Sequence, residues 1–547
     1  MSYARMASRF GNGRRAKYLG RDAHVFQLNV AEPAVARHAL SRARPQIYNQ
    51  SFTTSHRFVR SDVGACVVPR SHLSLHDPKP LKLFTAMAAY PWLAASITCI
   101  GAFMGQLDAS IVQLTLPVLE RDFHATLPSV SWVAIGYLLS YAATLPVFAR
   151  MSEIFGRKLL YISGFGVFAI ASLLCGLAPS LPILIGCRLL QGLGGGLLGA
   201  NSITILTKSV APQQRGQAMG IYAAAQAIGI SAGPALGGLL LGTVGWRWVF
   251  WISAPVSLVG FVLGWLILPQ TTTSGDVRQF DRWGAMLLSP ALAAFVIALS
   301  ELGIWRPEAV LLMMFVTVIL LPAFIWRERS RQYPLIDFGL FRIAPFFGGI
   351  IGVSASYGLL YAMFLVMSFA FARGFEESSI SAGVHLAVIP VMIGVTAPVS
   401  GRLYEKFGSR ALTTIGMALA SIATVVLASG SEGMNRLVLS GALACFGIGL
   451  GLYVAPNNTA TMAAAPEGHS TEAGGLLNLT RVLGCMSGIV VASSALSWRL
   501  RLDTGAVKKT AEVPTGEIMD ATHQALWALL LFSVLAGAAA VLRNKQQ

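Results

Sequence analysis

Ala149-Arg-Met-Ser-Glu-Ile-Phe-Gly-Arg-Lys158 and Gly401-Arg-Leu-Tyr-Glu-Lys-Phe-Gly-Ser-Arg410 are two copies of one loop. Arg150 corresponds to Arg402, Glu153 to Glu405, Phe155 to Phe407, Gly156 to Gly408 and Lys158 to Arg410. Each copy follows the second apolar stretch of a series, and eight such stretches separate the copies, so both loops fall on one face. That is a parallel repeat: two six-helix halves around an axis along the membrane normal. Gly156 permits a tight turn between two helices, and Arg150, Glu153 and Arg157 are placed to form charge pairs at the helix ends. Two readings are open. The pairs act as a gating latch that holds one half against the other in one state, or the charges only enforce topology. Topology alone does not require the same five-position pattern twice, which favours the latch.

The flanking stretches are apolar enough to lie in a membrane. Of 547 residues, 54% are apolar and 12% charged, and the mean hydropathy is +0.63. Soluble domains average about 25% charged residues. A polytopic all-α membrane protein fits these values, since hydrocarbon accepts apolar side chains and excludes charge. The 55 glycines let membrane helices approach closely. A net charge of +17 would suggest nucleic acid on a soluble chain, but fourteen Lys/Arg against four Asp/Glu fall in residues 1–83. The remainder is spread over loops, where it orients helices; no nucleic-acid partner is expected, and membrane lipid is. None of Cys66, Cys99, Cys175, Cys187, Cys445 and Cys485 is spaced as a metal ligand, and five lie in apolar segments. They read as small hydrophobes; no metal and no cofactor is expected.

A span needs about twenty mostly apolar residues. That rule places fourteen, near 91–117, 129–149, 159–178, 182–207, 217–240, 247–269, 284–303, 308–326, 346–370, 381–400, 411–429, 437–459, 473–497 and 524–542. The repeat makes the seventh and eighth an insert. The expected organisation is a basic, disordered segment over 1–90, a six-helix half over 91–270, two inserted helices and loops over 271–345, and a second six-helix half over 346–547. For 1–90, a cytoplasmic tail competes with an organelle transit peptide and with a true translation start at Met87 or nearby. With both termini in the cytoplasm, the loops on that side carry sixteen Lys/Arg and the opposite face nine, four of them in the long 498–523 loop. This bias orients the protein N-in and C-in.

Few ionisable residues fall within spans, and each costs about 2.5–3.5 kcal/mol at a helix centre. Asp108 lies in the first span, Arg188 in the fourth just before Gln191-Gly192, and Arg481 in the thirteenth. Glu301 and His385 sit near helix ends. A carboxyl away from water can alternate between charged and neutral forms, so Asp108 is read either as a proton or substrate coupler or as a permanently paired structural group. Arg188 faces the same choice: a cavity-facing group that binds an anion, stabilises a carboxylate or relays protons, or a structural one. In the fifth span, Gly229, Gly233, Pro234, Gly237 and Gly238 combine a helix-bending proline with a glycine groove for close packing. A kinked, tightly packed helix of this kind can seal one side of a cavity.

Together these residues resemble the major facilitator superfamily, in its fourteen-helix drug:proton antiporter branch, over roughly residues 91–542. The branch's loop signature G-x-L-a-D-r-x-G-r-r is similar to 149–158, with Ala149, Met151, Glu153 and Ile154 in place of its Gly, Leu, Asp and first Arg. Its R-x-x-Q-G-x-G motif matches Arg188, Gln191, Gly192 and Gly194, and its G-x-x-x-G-P-x-x-G-G motif matches Gly229, Gly233, Pro234, Gly237 and Gly238 in full. Its first-helix motif L-D-x-T-I-V-N-V-A-L-P resembles 107–117, with Ser110, Gln113, Leu114 and Thr115 departing from it. The stretch Trp246-Arg-Trp-Val-Phe250 also looks like this branch. The resemblance implies a secondary exporter, not an enzyme, working by alternating access in the plasma (inner) membrane. It would drive small amphipathic compounds, cations among them, against an inward proton flow. Asp108, Arg188 and Gln191 would be the proton-coupling or substrate residues, and Arg150, Glu153, Gly156, Arg157, Arg402, Glu405, Gly408 and Arg410 the gating loops. No P-loop is present for nucleotide. Some relatives in the branch work with a periplasmic adaptor, although no residue of this sequence points to one. Two other classes stay open: an importer or symporter of a small metabolite, and a polytopic membrane enzyme or sensor.

Overall fold

The computed structural model describes residues 90–270, 281–301, 307–331, 334–430, 434–466, 469–504 and 509–542. The expected basic segment over 1–90 lies outside them, except for Tyr90, where the first helix begins. Every regular element among the described residues is helical. In chain order these are α1 (Tyr90–Asp122), α2 (Leu127–Phe155), α3 (Arg157–Leu177), α4 (Leu181–Ser209), α5 (Arg215–Thr243) and α6 (Arg247–Ile267). Two follow, α7 (Arg282–Ser300) and α8 (Pro307–Arg329), and then α9 (Ala344–Phe369).

The next helical run, Ser379–Ala428, is 50 residues long. At 1.5 Å per residue it would extend about 75 Å, more than twice a hydrocarbon core of about 30 Å. Gly408 resolves the mismatch. Its φ of 73° and ψ of 173° are not helical, so the run is two spans, α10 (379–407) and α11 (409–428), joined by a turn at the second signature loop. Gly156, the equivalent residue between α2 and α3, also has a positive φ, 96°. Both loop glycines therefore hold a conformation that costs other residues strain. With α12 (Arg436–Ala463), α13 (Ser470–Thr504) and α14 (Thr515–Leu542), the described residues hold the fourteen expected spans.

Prolines open α2, α4 and α9 in the first turn, where the missing N–H has no helical partner to lose. Asp281 caps α7 by accepting from the Gly284 N–H at 3.1 Å, and Asn435 caps α12 from the Leu437 N–H at 2.9 Å. Several helices overrun the spans read from hydropathy. The thirteenth, expected over 473–497, runs from Ser470 to Thr504, because its polar ends project beyond the apolar band and carry no hydropathy signal.

The packing repeats. In the first set α1 lies against α4, α5 and α6, α4 against α2 and α3, and α3 against α6. In the second set α9 lies against α12, α13 and α14, α12 packs against the α10–α11 run, and α14 contacts that run too. Glycines set the distances in both. A Cβ at Gly192 of α4 would sit 2.4 Å from the Tyr137 carbonyl oxygen of α2, and one at Gly447 of α12 would sit 2.4 Å from the Ile389 carbonyl oxygen of α10. Gly194 meets the Phe168 backbone of α3 at 2.8 Å, and Gly449 meets the Gly416 backbone of α11 at 2.5 Å. The two sets touch where α2 meets α13 and where α10 meets α5, the exchange a parallel repeat produces.

Helix α7 packs on α2 and α13, and α8 packs on α7. The outer face of α8 is bare apolar surface, with Phe315 62% and Val318 68% exposed, which suits contact with lipid tails. Asp281 ties the start of α7 to the end of α8: Arg327 Nε and Nη2 donate to its carboxylate at 2.7–3.0 Å.

Candidate functional site

Arg188 and Gln191 are three residues apart on α4 and share a face. That face meets Asp108 of α1. Arg188 Nη1 donates to Asp108 Oδ2 at 2.6 Å and to Gln191 Oε1 at 2.6 Å, and its Nε donates to the Val133 carbonyl at 2.8 Å. Gln191 Nε2 donates to Asp108 Oδ1 and to Ser172 Oγ, each at 2.9 Å. All three side chains are buried, with Arg188 1% exposed and the other two not at all. The guanidinium carbon lies 4.4 Å from the Tyr137 ring centroid. A buried pair is tolerable only when hydrogen bonds satisfy both partners, and Gln191 supplies them by donating to the carboxylate and accepting from the guanidinium.

The cluster does not line the central cavity. That chamber, about 50 Å³, is walled by Gln106 of α1, Tyr137 and Tyr141 of α2, Tyr222 and Gln226 of α5, Tyr361 of α9 and Arg481 of α13, among others. Of the two readings of Arg188, the geometry shows the paired one: it is not among the residues that line the chamber. Tyr137 stands between the ion pair and the chamber, because Arg188 turns toward Asp108 and Val133 rather than across the bundle. Arg481 instead reaches the chamber. Its Nη1 donates to Gln226 Oε1 at 3.1 Å, across from α13 to α5, and its Nη2 donates to Asn478 Oδ1. Asn478 Nδ2 in turn donates to the Tyr141 hydroxyl at 3.2 Å. The sequence marked Arg481 only as a charge within a span; Gln226 and Asn478 gave no signal by themselves.

A larger cavity of about 520 Å³ opens at the end that carries the two signature loops. Arg150, Glu153 and Arg157 line it on one side, residues 334–340 on another, and the exposed His469 and Glu472 at the start of α13 on a third. Gly199 borders both this vestibule and the central chamber. At the opposite end α5 and α10 are in close backbone contact. There a Cβ at Gly238 of α5 would fall 2.5 Å from the Ser379 carbonyl and 2.9 Å from Gly383 Cα of α10. On the inner side of α5, a Cβ at Gly229 would meet the Phe103 carbonyl at 2.4 Å, one at Gly233 would meet Ser110 Oγ at 1.9 Å, and one at Gly237 would meet Ile111 at 2.9 Å. Pro234 lies within the same helix, its carbonyl 2.5 Å from where a Cβ of Gly383 would be. The five motif residues of α5 therefore join α1 on one side and α10 on the other.

The two loops differ. In the first, Glu153 accepts from Arg150 at 2.5 Å and lies 3.6 Å from Arg157. These pairs stay inside the loop and do not bridge the halves. Arg150 Nε also donates to the Pro334 carbonyl at 3.3 Å, and the buried Lys158 donates to the Leu268 carbonyl at 2.6 Å. In the second, Arg402, Glu405 and Arg410 are exposed, and no ion pair among the described residues includes them. Water competes for exposed charges, so pairing there is worth little. Glu301 accepts from Trp132 Nε1 at 2.8 Å, and His385 lies 2.9 Å from Glu377. Among the described residues no cluster of His, Cys, Asp and Glu is arranged to hold a metal.

A family model described as Major Facilitator Superfamily matches residues 98–489. The riboflavin transporter RibZ of Clostridioides difficile is 30% identical over 74% of this chain and 88% of its own length. The tetracenomycin C resistance and export protein of Streptomyces glaucescens is 30% identical over 75% of this chain and 77% of its own length. The multidrug resistance protein Stp of Mycobacterium tuberculosis is 29% identical over 73% and 75%. In fold, the chain is similar to the crystal structure of a bacterial homologue of the human lysosomal transporter Spinster, inward-facing and unoccupied. The TM-score is 0.61 at 15% identity, covering 84% of this chain and 97% of the other.

Proposed function

The chain belongs to the major facilitator superfamily, and from that premise we propose that it is a proton-coupled exporter of small amphipathic compounds that works by alternating access. Relatives named for multidrug resistance and for tetracenomycin C export support the direction. The observation that carries the coupling is the buried Asp108–Arg188–Gln191 cluster, one aromatic ring away from the central chamber. A proton reaching Asp108 cancels its charge and frees Arg188 from it, while Gln191 and the Val133 carbonyl continue to hold the guanidinium. The packing between α1 and α4 then has two arrangements, set by one proton. Inward movement of each unit charge supplies about 2.3 kcal/mol per 100 mV.

The charge bias supports an orientation with the loop end in the cytoplasm, in a plasma (inner) membrane. The vestibule is then open inward, and the α5–α10 contact is the outer seal. The first loop, braced on residues 334–340, acts as a hinge of the inner gate, and the exposed second loop docks when that gate shuts. The protein reconstituted into vesicles with an imposed pH gradient tests the coupling. Asp108→Asn and Arg188→Ala each reduce proton-driven movement of a fluorescent dye, with anionic fluorescein and cationic ethidium both tried, and membrane insertion stays intact. Normal coupled transport in both variants would reject the roles given to these residues.

A second reading is a transporter of a small metabolite, which the relative named as a riboflavin transporter favours. Labelled riboflavin in the same vesicles separates the two: gradient-driven movement of riboflavin but of no dye supports the metabolite.

A further inference from the structure

We infer that Arg481 is a specificity-determining residue for aromatic anions: the exporter's substrates are planar aromatic compounds with an acidic group, and that group binds Arg481. The inference rests on the exporter reading only for treating the central chamber as the substrate's path.

Charge comes first. A cation within a span is costly and is retained where it has a task. Arg188 is neutralised by Asp108, so that cluster carries no net charge into the bundle. Among the described residues no carboxylate pairs with Arg481, and it is the only charged side chain that lines the chamber. Its described hydrogen bonds go to two neutral side-chain carbonyl oxygens, on Gln226 and Asn478. A guanidinium has five N–H donors in a planar fork suited to a carboxylate or phenolate. Two are used here. The core of the bundle is therefore electropositive, with donors to spare.

Shape is the second observation. Tyr137, Tyr141, Tyr222 and Tyr361 wall the chamber around Arg481, and the centroid of the Tyr357 ring lies 5.7 Å from its guanidinium carbon. Aromatic faces and edges take planar rings in stacked or edge-on geometry. The chamber, at about 50 Å³, has room for several water-sized groups, which is the size of an acidic group and not of a whole drug. The adjoining vestibule, at about 520 Å³, takes the body. Its charges are mixed, with Arg150 and Arg157 against Glu153, Asp337 and Glu472, so the vestibule does not select for sign and the chamber does. The cationic substrates that the family resemblance implied have no carboxylate to meet among the chamber residues.

Binding to the purified full-length chain tests this without any transport. Fluorescein serves as an aromatic anion and ethidium as an aromatic cation, each followed by fluorescence anisotropy at one salt concentration. The unsubstituted protein binds fluorescein at least about tenfold more tightly than ethidium. Arg481→Gln lowers fluorescein affinity by roughly ten- to a hundredfold, the range for hydrogen bonds to a charged group, and leaves ethidium unchanged. Arg481→Lys keeps most of the preference. Gln226→Ala, which retains the charge and frees Nη1, keeps or raises fluorescein affinity. Equal binding of the two dyes by the unsubstituted protein overturns the inference and needs no variant. Full fluorescein affinity in Arg481→Gln also overturns it, as does its loss in Gln226→Ala, which would make the α5–α13 hydrogen bond the determinant. The exporter reading fails by a different result: fluorescein binds as expected, but an imposed pH gradient moves neither dye.

Discussion

Replacing Asp108 by Asn tests whether the cluster is held by charge or by shape. The amide has nearly the carboxylate's volume, so packing between α1 and α4 is unchanged while Arg188, 1% exposed, loses its counter-charge. Removing one partner of a buried pair costs about 3–5 kcal/mol. Here the Val133 carbonyl, Gln191 Oε1 and the Tyr137 ring still face the guanidinium, which places the expected loss near the lower end, about 3 kcal/mol. The double variant Asp108→Asn with Arg188→Gln removes both charges and leaves hydrogen-bonding amides in their place. It should be more stable than Asp108→Asn alone, since no buried charge is stranded. Thermal unfolding of the purified proteins in one detergent gives the order unsubstituted, double, single. If Asp108→Asn matches the unsubstituted protein, or the double variant is no better than the single, the pair is not what holds α1 to α4.

Four further outcomes are expected. Gly238→Leu places bulk against the Ser379 carbonyl and Gly383; overpacking of this kind costs about 1–3 kcal/mol, and a cysteine at the neighbouring Ile380 becomes more reactive to a water-soluble maleimide added at that end. Gly408→Ala at φ 73° and ψ 173° loses about 1–3 kcal/mol of stability to backbone strain, whereas Gly401→Ala, helical and with open space around it, is neutral or gains about 0.5–1 kcal/mol; unfolding midpoints compare them. Burial raises the Asp281 carboxyl's pKa, but hydrogen bonds from Arg327 and the Gly284 N–H outweigh it and hold it below its ordinary value. A depressed pKa gives stability that is present above the unfolded value and lost as pH falls through the folded one, so Asp281→Asn is less stable than the unsubstituted protein at neutral pH and the two converge in acid below the ordinary carboxylate range. Trp132→Phe removes the donor to Glu301 and should loosen α7 from α2, read as a lower unfolding midpoint in the same detergent.

The helix count was legible because each span is long and apolar, and the signature loops were legible because the same residue pattern recurs, with a glycine where each turn needs positive φ. Asp108, Arg188 and Gln191 stood out as polar groups where polarity is costly, and the structure joins them across 80 residues of chain. The sequence also carries a second glycine repeat, Gly192-Leu-Gly194-Gly-Gly196 in α4 and Gly447-Ile-Gly449-Leu-Gly451 in α12, whose members meet equivalent neighbours at similar distances. Arg188 has no polar equivalent in the second half, where the position reads Leu443, fully buried. The surroundings of Arg481 were not legible, since Gln226 lies 255 residues away and Tyr141 reaches Asn478 over 337. No local pattern encodes such contacts. The same holds for the direction in which Arg188 points, which α1 decides and α4 does not.

Distances between spin labels at the two ends test alternating access most directly. In a background with the native cysteines replaced, Gly216→Cys with Gly401→Cys reports the loop end. Both positions are exposed with nothing within 4 Å of a Cβ, one on α5 and one on α10. Val244→Cys with Leu437→Cys, also exposed, reports the sealed end. Protonating the reconstituted protein and saturating it with substrate should shorten the first distance and lengthen the second. Two distances that stay fixed, or that grow or shrink together, would contradict the account.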